Sequence, residues 1–436
     1  MSKIFKILFT VLIVLSIAGI LIAGRENEKK KEEGIPERPY EGITLKVIAQ
    51  HRLEYDVMEE NLPEFEAETG IDVQIIYFGE LDRRAKSRLD ASTGAGTYQV
   101  YYLDEANVAE FAASDWVYPL LDYYPEEYDF DDFFEAYKNI GSYKGVNYFA
   151  PTLGGGDLFM YRKDILKNAG VAVPTTLDEL KMAIKKLHNP PEIYGWVARG
   201  QRGSGMNVWR WAPFFEGFGG KWFDGENPIF NSSEAVKATE VYMELMEYAP
   251  PGTSAGDWSD AVEAFRAGKA VFIIETNVFR DWMEDPEKSF VVGKVGYAVV
   301  PSPLLSAGYA HGVAISKPGC KTEQERKAAG LYIAWFTSKE QEIKRIESDV
   351  FSAYGRKSTM EHPKFKAKVP EELTRVILDM DPITKLCIWG GPEWPEIGDN
   401  LGVILEELFT GTRTDIKAAL DEAAEYASNV MAERRR

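Results

Sequence analysis

The sequence predicts an α/β protein of two interleaved domains, and three observations carry that prediction. The chain has 436 residues, more than one compact core usually accommodates, so two domains or an interleaved pair are expected. Hydrophobic residues make up 45% and charged residues 27% of it, the composition of a globular chain that can bury large cores. From residue 43 to residue 103 strand and helix patterns alternate with short connections, which implies a parallel sheet built from right-handed crossovers.

The elements follow in order. Residues 43–49 (ITLKVIA) alternate and predict a strand. Residues 55–69 have helical composition and stop at Gly70, a residue suited to a left-handed cap, with Pro63 predicting a kink or a late start. Residues 71–78 predict a second strand, 81–91 a helix and 98–103 a third strand. Ligands bind such sheets beyond the carboxyl ends of the strands, which here are Gln50-His51-Arg52, Gly79-Glu80 and Asp104-Glu105. Gly154-Gly155-Gly156 predicts a turn or a crossover, since a phosphate loop requires Lys-Ser/Thr after its glycines and none follows. Further helices are expected over 175–187, 231–247, 321–337, 339–347 and 415–433, and strands over 270–274 and 295–300.

The N-terminus sets the compartment. Lys3 and Lys6 precede an apolar run from Ile7 to Ala23, and a charged stretch follows from Arg25. A basic start before a hydrophobic run describes an export signal. Residues 1–24 are therefore expected to be either a removed signal peptide or a retained N-terminal anchor, with 25–42 as a charged linker carrying Pro36 and Pro39. The expected location is extracytoplasmic. The formal net charge of −19 excludes the basic face a nucleic-acid partner demands and suits a soluble monomer. Cys320 and Cys387 stand far apart in sequence, and either a disulfide or two buried free thiols fits them.

Aromatic residues gather where turn residues gather: Trp209 and Trp211 after Gly203-Ser204-Gly205, and Trp394 after Gly390-Gly391-Pro392. Sugar rings stack their C–H faces on aromatic rings and take charge-assisted hydrogen bonds at their hydroxyls, so rings beside Arg, Asp and Glu at loop ends form a carbohydrate-recognition vocabulary. Catalytic hardware is thin. The 4 histidines include no close pair and no H-E-x-x-H, so no metal site and no cofactor are expected. Ser204 lies in G-S-G, not in G-x-S-x-G. No carboxylate pair stands out for glycoside hydrolysis, and no enzyme activity is expected.

Several short stretches together resemble the extracellular solute-binding proteins of carbohydrate-type ABC importers, close to the sugar and sugar-alcohol branch. They are Pro63-Glu64-Phe65-Glu66, Glu68-Thr69-Gly70-Ile71-Asp72-Val73, Trp116-Val117-Tyr118-Pro119-Leu120, Tyr161-Arg162-Lys163-Asp164, Phe265-Arg266-Ala267-Gly268-Lys269-Ala270 and the closing Leu408-Phe409-Thr410-Gly411. The resemblance runs from about residue 43 to the C-terminus. It implies a two-lobed periplasmic-binding-protein-like fold with parallel-core sheets, one lobe from 43–150 plus 310–353 and the other from 151–309 plus 354–436. The hinges would then be Phe149-Ala150-Pro151, residues 306–310 and residues 352–355. It implies a ligand held between the lobes and ABC permease transmembrane subunits as partners.

By motif, the resemblance assigns Arg199 to donate to ligand hydroxyls, and Glu275 to a position where the branch usually has aspartate. It puts Asp157 in an acceptor position after the first crossover, and Tyr309 and His311 where the family often has Trp. Arg52 and Glu80 join them from the first lobe's strand ends, and Trp209, Trp211 and Trp394 supply stacking. The function expected is capture of a sugar, oligosaccharide or sugar alcohol for import. A peptide or polyamine-type solute, an extracellular carbohydrate-active enzyme and an anchored surface interaction protein are the alternatives.

Overall fold

The computed structural model describes residues 38–351, 355–380 and 383–434. The export segment expected at 1–24 and most of the linker expected at 25–42 lie outside them. Two main sheets define two lobes. The first has strands β1 (Thr44–Ala49), β2 (Asp72–Tyr77), β3 (Val100–Asp104), β4 (Ala150–Gly155) and β9 (Tyr309–Ile315). The second has β5 (Asp157–Arg162), β6 (Tyr194–Val197), β7 (Ala270–Thr276) and β8 (Val295–Ala298). The spatial orders are β2-β1-β3-β9-β4 and β8-β5-β7-β6.

The opening βαβαβ unit forms as its pattern predicts. In β1 the exposed Thr44 and Lys46 alternate with buried Leu45 and Val47. The helix Leu53–Thr69 starts earlier than expected and runs through Pro63 to Gly70, whose φ of 78° and bond to the Glu66 carbonyl close it. Both β2 and β3 pair parallel to β1. β9 then returns from the other lobe and pairs antiparallel with both β3 and β4, so β4 at the edge runs parallel to β1–β3.

The crossings between lobes are set by packing. β4 lies in the first sheet and β5 in the second, so the first crossing falls at Gly156 rather than at Phe149–Pro151. A Cβ at Gly156 would lie 2.6 Å from Ser306 Oγ and 2.8 Å from Thr384 Oγ1, so only glycine lets these segments meet. The second crossing leads from the short bridge Ser306–Ala307, paired parallel with Thr384–Lys385, into β9. Near the third, expected at 352–355, the Phe351 amide already donates to Asp281 Oδ2 of the second lobe at 2.9 Å. Arg356 is buried against the first lobe: Nε donates to the Thr337 carbonyl at 2.9 Å and Nη1 to the Asp129 carbonyl at 2.6 Å. A buried guanidinium must keep such partners, and they hold residues 355–359 on the first lobe's side.

Each lobe has its own core. Leu45, Val47, Tyr102 and Val313 pack with Tyr332 and Ile333 of the helix Glu323–Phe336. Phe159, Phe272 and Trp196 pack with the helices Asn207–Gly217, Trp394–Phe409 and Ile416–Glu433. All three expected stacking residues are buried in this second core, though Trp209 also borders the space between the lobes. Trp211 is fully buried on the helix Asn207–Gly217, stacked on Phe215 at an interplanar angle of 12°, and donates to Thr239 Oγ1 at 3.0 Å. Trp394 is buried at the start of its helix, edge-on to Trp222 at 5.0 Å. The glycines and proline near them mark helix starts, where a ring turns inward, rather than loops at a site. Among the described residues no helix is long and apolar enough to cross a membrane. Cys320 and Cys387 are buried free thiols.

Trp211→Ala is expected to destabilise the chain by about 3–5 kcal/mol, the usual cost of emptying a large aromatic site. Urea unfolding monitored by circular dichroism measures it, and a loss below about 1 kcal/mol would contradict a core role.

Candidate ligand-binding cleft

The carboxyl ends of the first lobe's parallel strands face the second lobe across a cleft of about 430 Å³, open solvent at its mouth included. Arg52 caps the helix after β1, Glu80 begins the helix Glu80–Thr93 after β2, and Glu105 follows β3. Tyr309 and His311 enter from β9. From the second lobe come Arg199 beyond β6, Trp209 on the helix Asn207–Gly217, Thr276 ending β7, and then Val278 and Phe279. Trp258 joins them as the first residue of the helix Trp258–Arg266, fixed by the reciprocal Asp257–Asp260 capping box.

Of the ten residues expected at the site, Arg52, Glu80, Arg199, Trp209, Tyr309 and His311 line this cleft. Trp211 and Trp394 are core. Asp157 and Glu275 lie behind the wall, fully buried and engaged by arginines. Glu275 takes both Nε and Nη2 of Arg199 at 2.6 Å each. Asp157 takes Nη2 and Nη1 of Arg210 at 2.8 and 2.7 Å, and the Ala307 amide at 3.3 Å. The acceptor role expected of these carboxylates toward ligand is therefore corrected. A buried carboxylate requires a partner, and here that partner is protein.

The pairing orients the cleft wall. Arg199 Nη1 also donates to the Gly205 carbonyl at 3.0 Å, and Tyr242 donates to the Arg199 carbonyl at 2.7 Å. Burial opposes the Glu275 charge, yet Arg199 and then Arg210 hold its carboxyl below the ordinary value. Burial lifts the Asp157 carboxyl even beside Arg210. Arg199 is thus locked as a planar donor at the cleft floor.

The opposite wall is a second charged network. Arg84 bridges Glu80 Oε1 at 3.1 Å and Asp104 Oδ2 at 2.8 Å, and Arg83 also pairs with Asp104. Burial would raise the Asp104 carboxyl, but Arg84 and Arg83 hold it well below its ordinary range. Burial, with Arg52 adding to it, pushes the His311 imidazole well below its usual value, so it stands neutral. Its Nδ1 lies 3.0 Å from the Tyr102 hydroxyl, in hydrogen-bond contact, and its Nε2 lies 3.5 Å from Glu105 Oε2. Burial and then the Asp104 charge raise the Glu105 carboxyl.

The lobes touch at one informative point. A Cβ at Gly205 would lie 2.8 Å from Arg84 Nη2, so glycine lets a first-lobe guanidinium rest on second-lobe backbone. Glu105, at a strand end marked by the sequence, lines the cleft, and Arg84, Trp258, Thr276 and Phe279 line it without having been expected there. Arg84 stands one helical turn after Glu80, so it left a signal. Trp258 left the Asp-x-x-Asp helix-start pattern. Phe279 left none.

Comparison with known proteins agrees with this geometry. The family of bacterial extracellular solute-binding proteins matches residues 50–343. A mannitol-binding protein of Pseudomonas aeruginosa is 25% identical over 384 residues, 83% of this chain and 86% of its own. A probable amino-acid ABC transporter periplasmic-binding protein of Sinorhizobium fredii is 26% identical over 354 residues, 76% of this chain and 77% of its own. A solved ABC transporter solute-binding protein of Agrobacterium radiobacter, in complex with ribitol, has a TM-score of 0.81 at 30% identity and covers 90% of this chain and 99% of its own.

The raised Glu105 carboxyl carries a pH signature. The folded state holds its proton more tightly than the unfolded chain, where a glutamate titrates near ~4.3. Its stabilising contribution is full below that value and is lost as pH rises through the folded pKa. Relative to Glu105→Gln, the wild type is expected to lose melting temperature between roughly pH 5 and 9. Parallel pH profiles of the two would contradict the assignment.

Proposed function

Because this chain belongs to the bacterial extracellular solute-binding proteins, we propose that it captures a sugar or sugar alcohol between its lobes and delivers it to the transmembrane subunits of an ABC importer. The observation that carries the reading is the composition of the cleft. Arg52, Arg84 and Arg199 present fixed donors, Glu80 and Glu105 acceptors, and Trp209, Trp258 and Phe279 apolar faces. Vicinal hydroxyls need donors and acceptors interleaved at close spacing, and the C–H faces between them need rings. The mannitol-binding relative and the ribitol complex support the same class.

The mechanism is binding without chemistry. Glu80 and Glu105 both stand on the first lobe's wall, while Asp157 and Glu275 are held by arginines, so among the described residues lining the cleft no carboxylate pair brackets a bond as glycoside hydrolysis requires. Contacts from both lobes are complete only when the lobes meet, so ligand favours the closed form. Moving a population from 1:99 to 99:1 requires about 5.5 kcal/mol of differential affinity, within reach of a few charge-assisted hydrogen bonds and stacked faces. The chain would act as a monomer outside the cytoplasm, brought there by the basic and apolar segment at residues 1–24, and the closed form would be what the permease engages.

The amino-acid transporter relative from Sinorhizobium supplies the second reading. An α-amino acid places a carboxylate and an ammonium on one carbon, and the cleft offers Arg199 to the first and Glu80 to the second. A thermal-shift panel of polyols, mono- and disaccharides, glycosylated polyols, L-amino acids and polyamines separates the two. A ligand at one hundred times its Kd adds about 2.7 kcal/mol, so a stabilising carbohydrate or polyol is expected with no response to the amines. Shifts confined to amino acids or polyamines would overturn the reading.

A further inference from the structure

Three guanidiniums line the cleft, those of Arg52, Arg84 and Arg199. Two of them already hold carboxylates of the protein. Arg199 grips Glu275 through two bonds of 2.6 Å, and Arg84 pairs with Glu80 and Asp104 at 3.1 and 2.8 Å. Arg52 differs. Among the described residues its half-buried side chain has no hydrogen bond and no ion pair. Every other described arginine that is not exposed has at least one. The Arg52 Nε is buried, so the two terminal nitrogens are what the side chain shows to the cleft. Its neighbours do not balance its charge. Of the carboxylates, Glu54 and Glu80 act on it most strongly. Glu80 is bonded to Arg84, and burial raises the Glu54 carboxyl even against the Arg52 charge. Burial and then the Asp104 charge push the Glu105 carboxyl up to about 8, so it keeps its proton at neutral pH. A guanidinium drawn partly out of water without a counter-charge is costly, which points to a ligand that brings the missing anion.

We propose that the ligand of this cleft is a carbohydrate acid, an aldonate or a uronate, whose carboxylate pairs with Arg52 while its hydroxyls meet Arg84, Arg199 and Glu80. The inference rests on the carbohydrate reading of the cleft and adds one negative charge to it. The three arginines then divide the work by their own state of pairing. Arg84 and Arg199 are neutralised by protein carboxylates and remain donors for uncharged oxygens. Arg52 keeps a whole unpaired charge, and the planar end of a guanidinium matches the two oxygens of a carboxylate. A hydroxyl on Arg52 would accept its hydrogen bond and leave the charge unbalanced. A phosphate ester, with a charge of about −2 at neutral pH, would bring more negative charge than one free guanidinium offsets.

Titration calorimetry at pH 7 tests this with the full chain. The probes are gluconate, galactonate, glucuronate and galacturonate against their neutral counterparts glucitol, galactitol, glucose and galactose, with glucose 6-phosphate as the doubly charged probe. At least one acid is expected to bind about tenfold or more tightly than its neutral counterpart, the scale of a hydrogen bond to a charged group. In Arg52→Gln that ratio is expected to fall to within about twofold of unity, and Arg52→Lys, which keeps the charge without the fork, is expected to retain part of it. If neither variant folds, judged by circular dichroism, added salt serves the same purpose in the wild type. The acid preference is then expected to shrink as salt rises, because the cleft is open to solvent at its mouth. Neutral probes binding as tightly as every acid would overturn the acid assignment and leave the carbohydrate reading standing. So would a preference that survives Arg52→Gln in a folded variant, one that salt leaves unchanged, or tighter binding of glucose 6-phosphate than of every acid. No binding by any probe would overturn both.

Discussion

The buried carboxylate of Asp157 joins the places where the chain passes between its lobes. It opens β5, immediately after the Gly156 crossing, and accepts from Arg210 on the helix Asn207–Gly217 and from the Ala307 amide in the second crossing. The Asp157 carbonyl accepts from Ser306 Oγ, which itself accepts from Thr384 Oγ1. Two crossings and the segment beside them are thereby fastened to one another and to the second lobe. A buried carboxylate without these partners would carry a penalty of several kcal/mol, so the residue holds the geometry as much as the geometry holds it. Gly156 belongs to the same device, because a side chain there would drive Ser306 and Thr384 away.

From that joint the cleft inherits its polarity. The Asp157–Arg210 pair adjoins the Glu275–Arg199 pair, with Arg210 Nε 3.9 Å from Glu275 Oε1. Two carboxylates and two guanidiniums alternate behind the wall, and Arg199 reaches from them toward the cleft. Such buried pairs add little to stability compared with apolar packing, but they fix direction. A donor held on two sides by carboxylate and carbonyl loses little freedom when a hydroxyl arrives. The first lobe repeats the arrangement with Asp104 between Arg83 and Arg84, so each lobe presents a pre-oriented arginine to the space between them.

The parts of this architecture legible in sequence are those with local causes. The βαβαβ start announces itself through alternation, Gly70 and short connections, and it places Arg52, Glu80 and Glu105 at one sheet edge with no tertiary information. Other parts depend on contacts between distant segments. Trp211 and Trp394 sit near glycine and proline like loop residues, but Phe215, Thr239 and Trp222 draw them into the core. Glu275 and Asp157 have the chemistry of ligand acceptors, and only the arrival of Arg199 and Arg210 from other elements removes them from that role. Arg356 carries no local sign that it returns to the first lobe; the carbonyls of Thr337 and Asp129 decide it.

The central claim is that one small carbohydrate is held by both lobes at once. Hydrogen exchange of the backbone amides, with and without a saturating ligand, tests it most directly. The account predicts slowed exchange in both walls together: around Arg52, Glu80–Arg84 and Glu105 in the first lobe, and around Arg199–Trp209 and Thr276–Phe279 in the second. Slowed exchange confined to one lobe, or away from these segments, would contradict it.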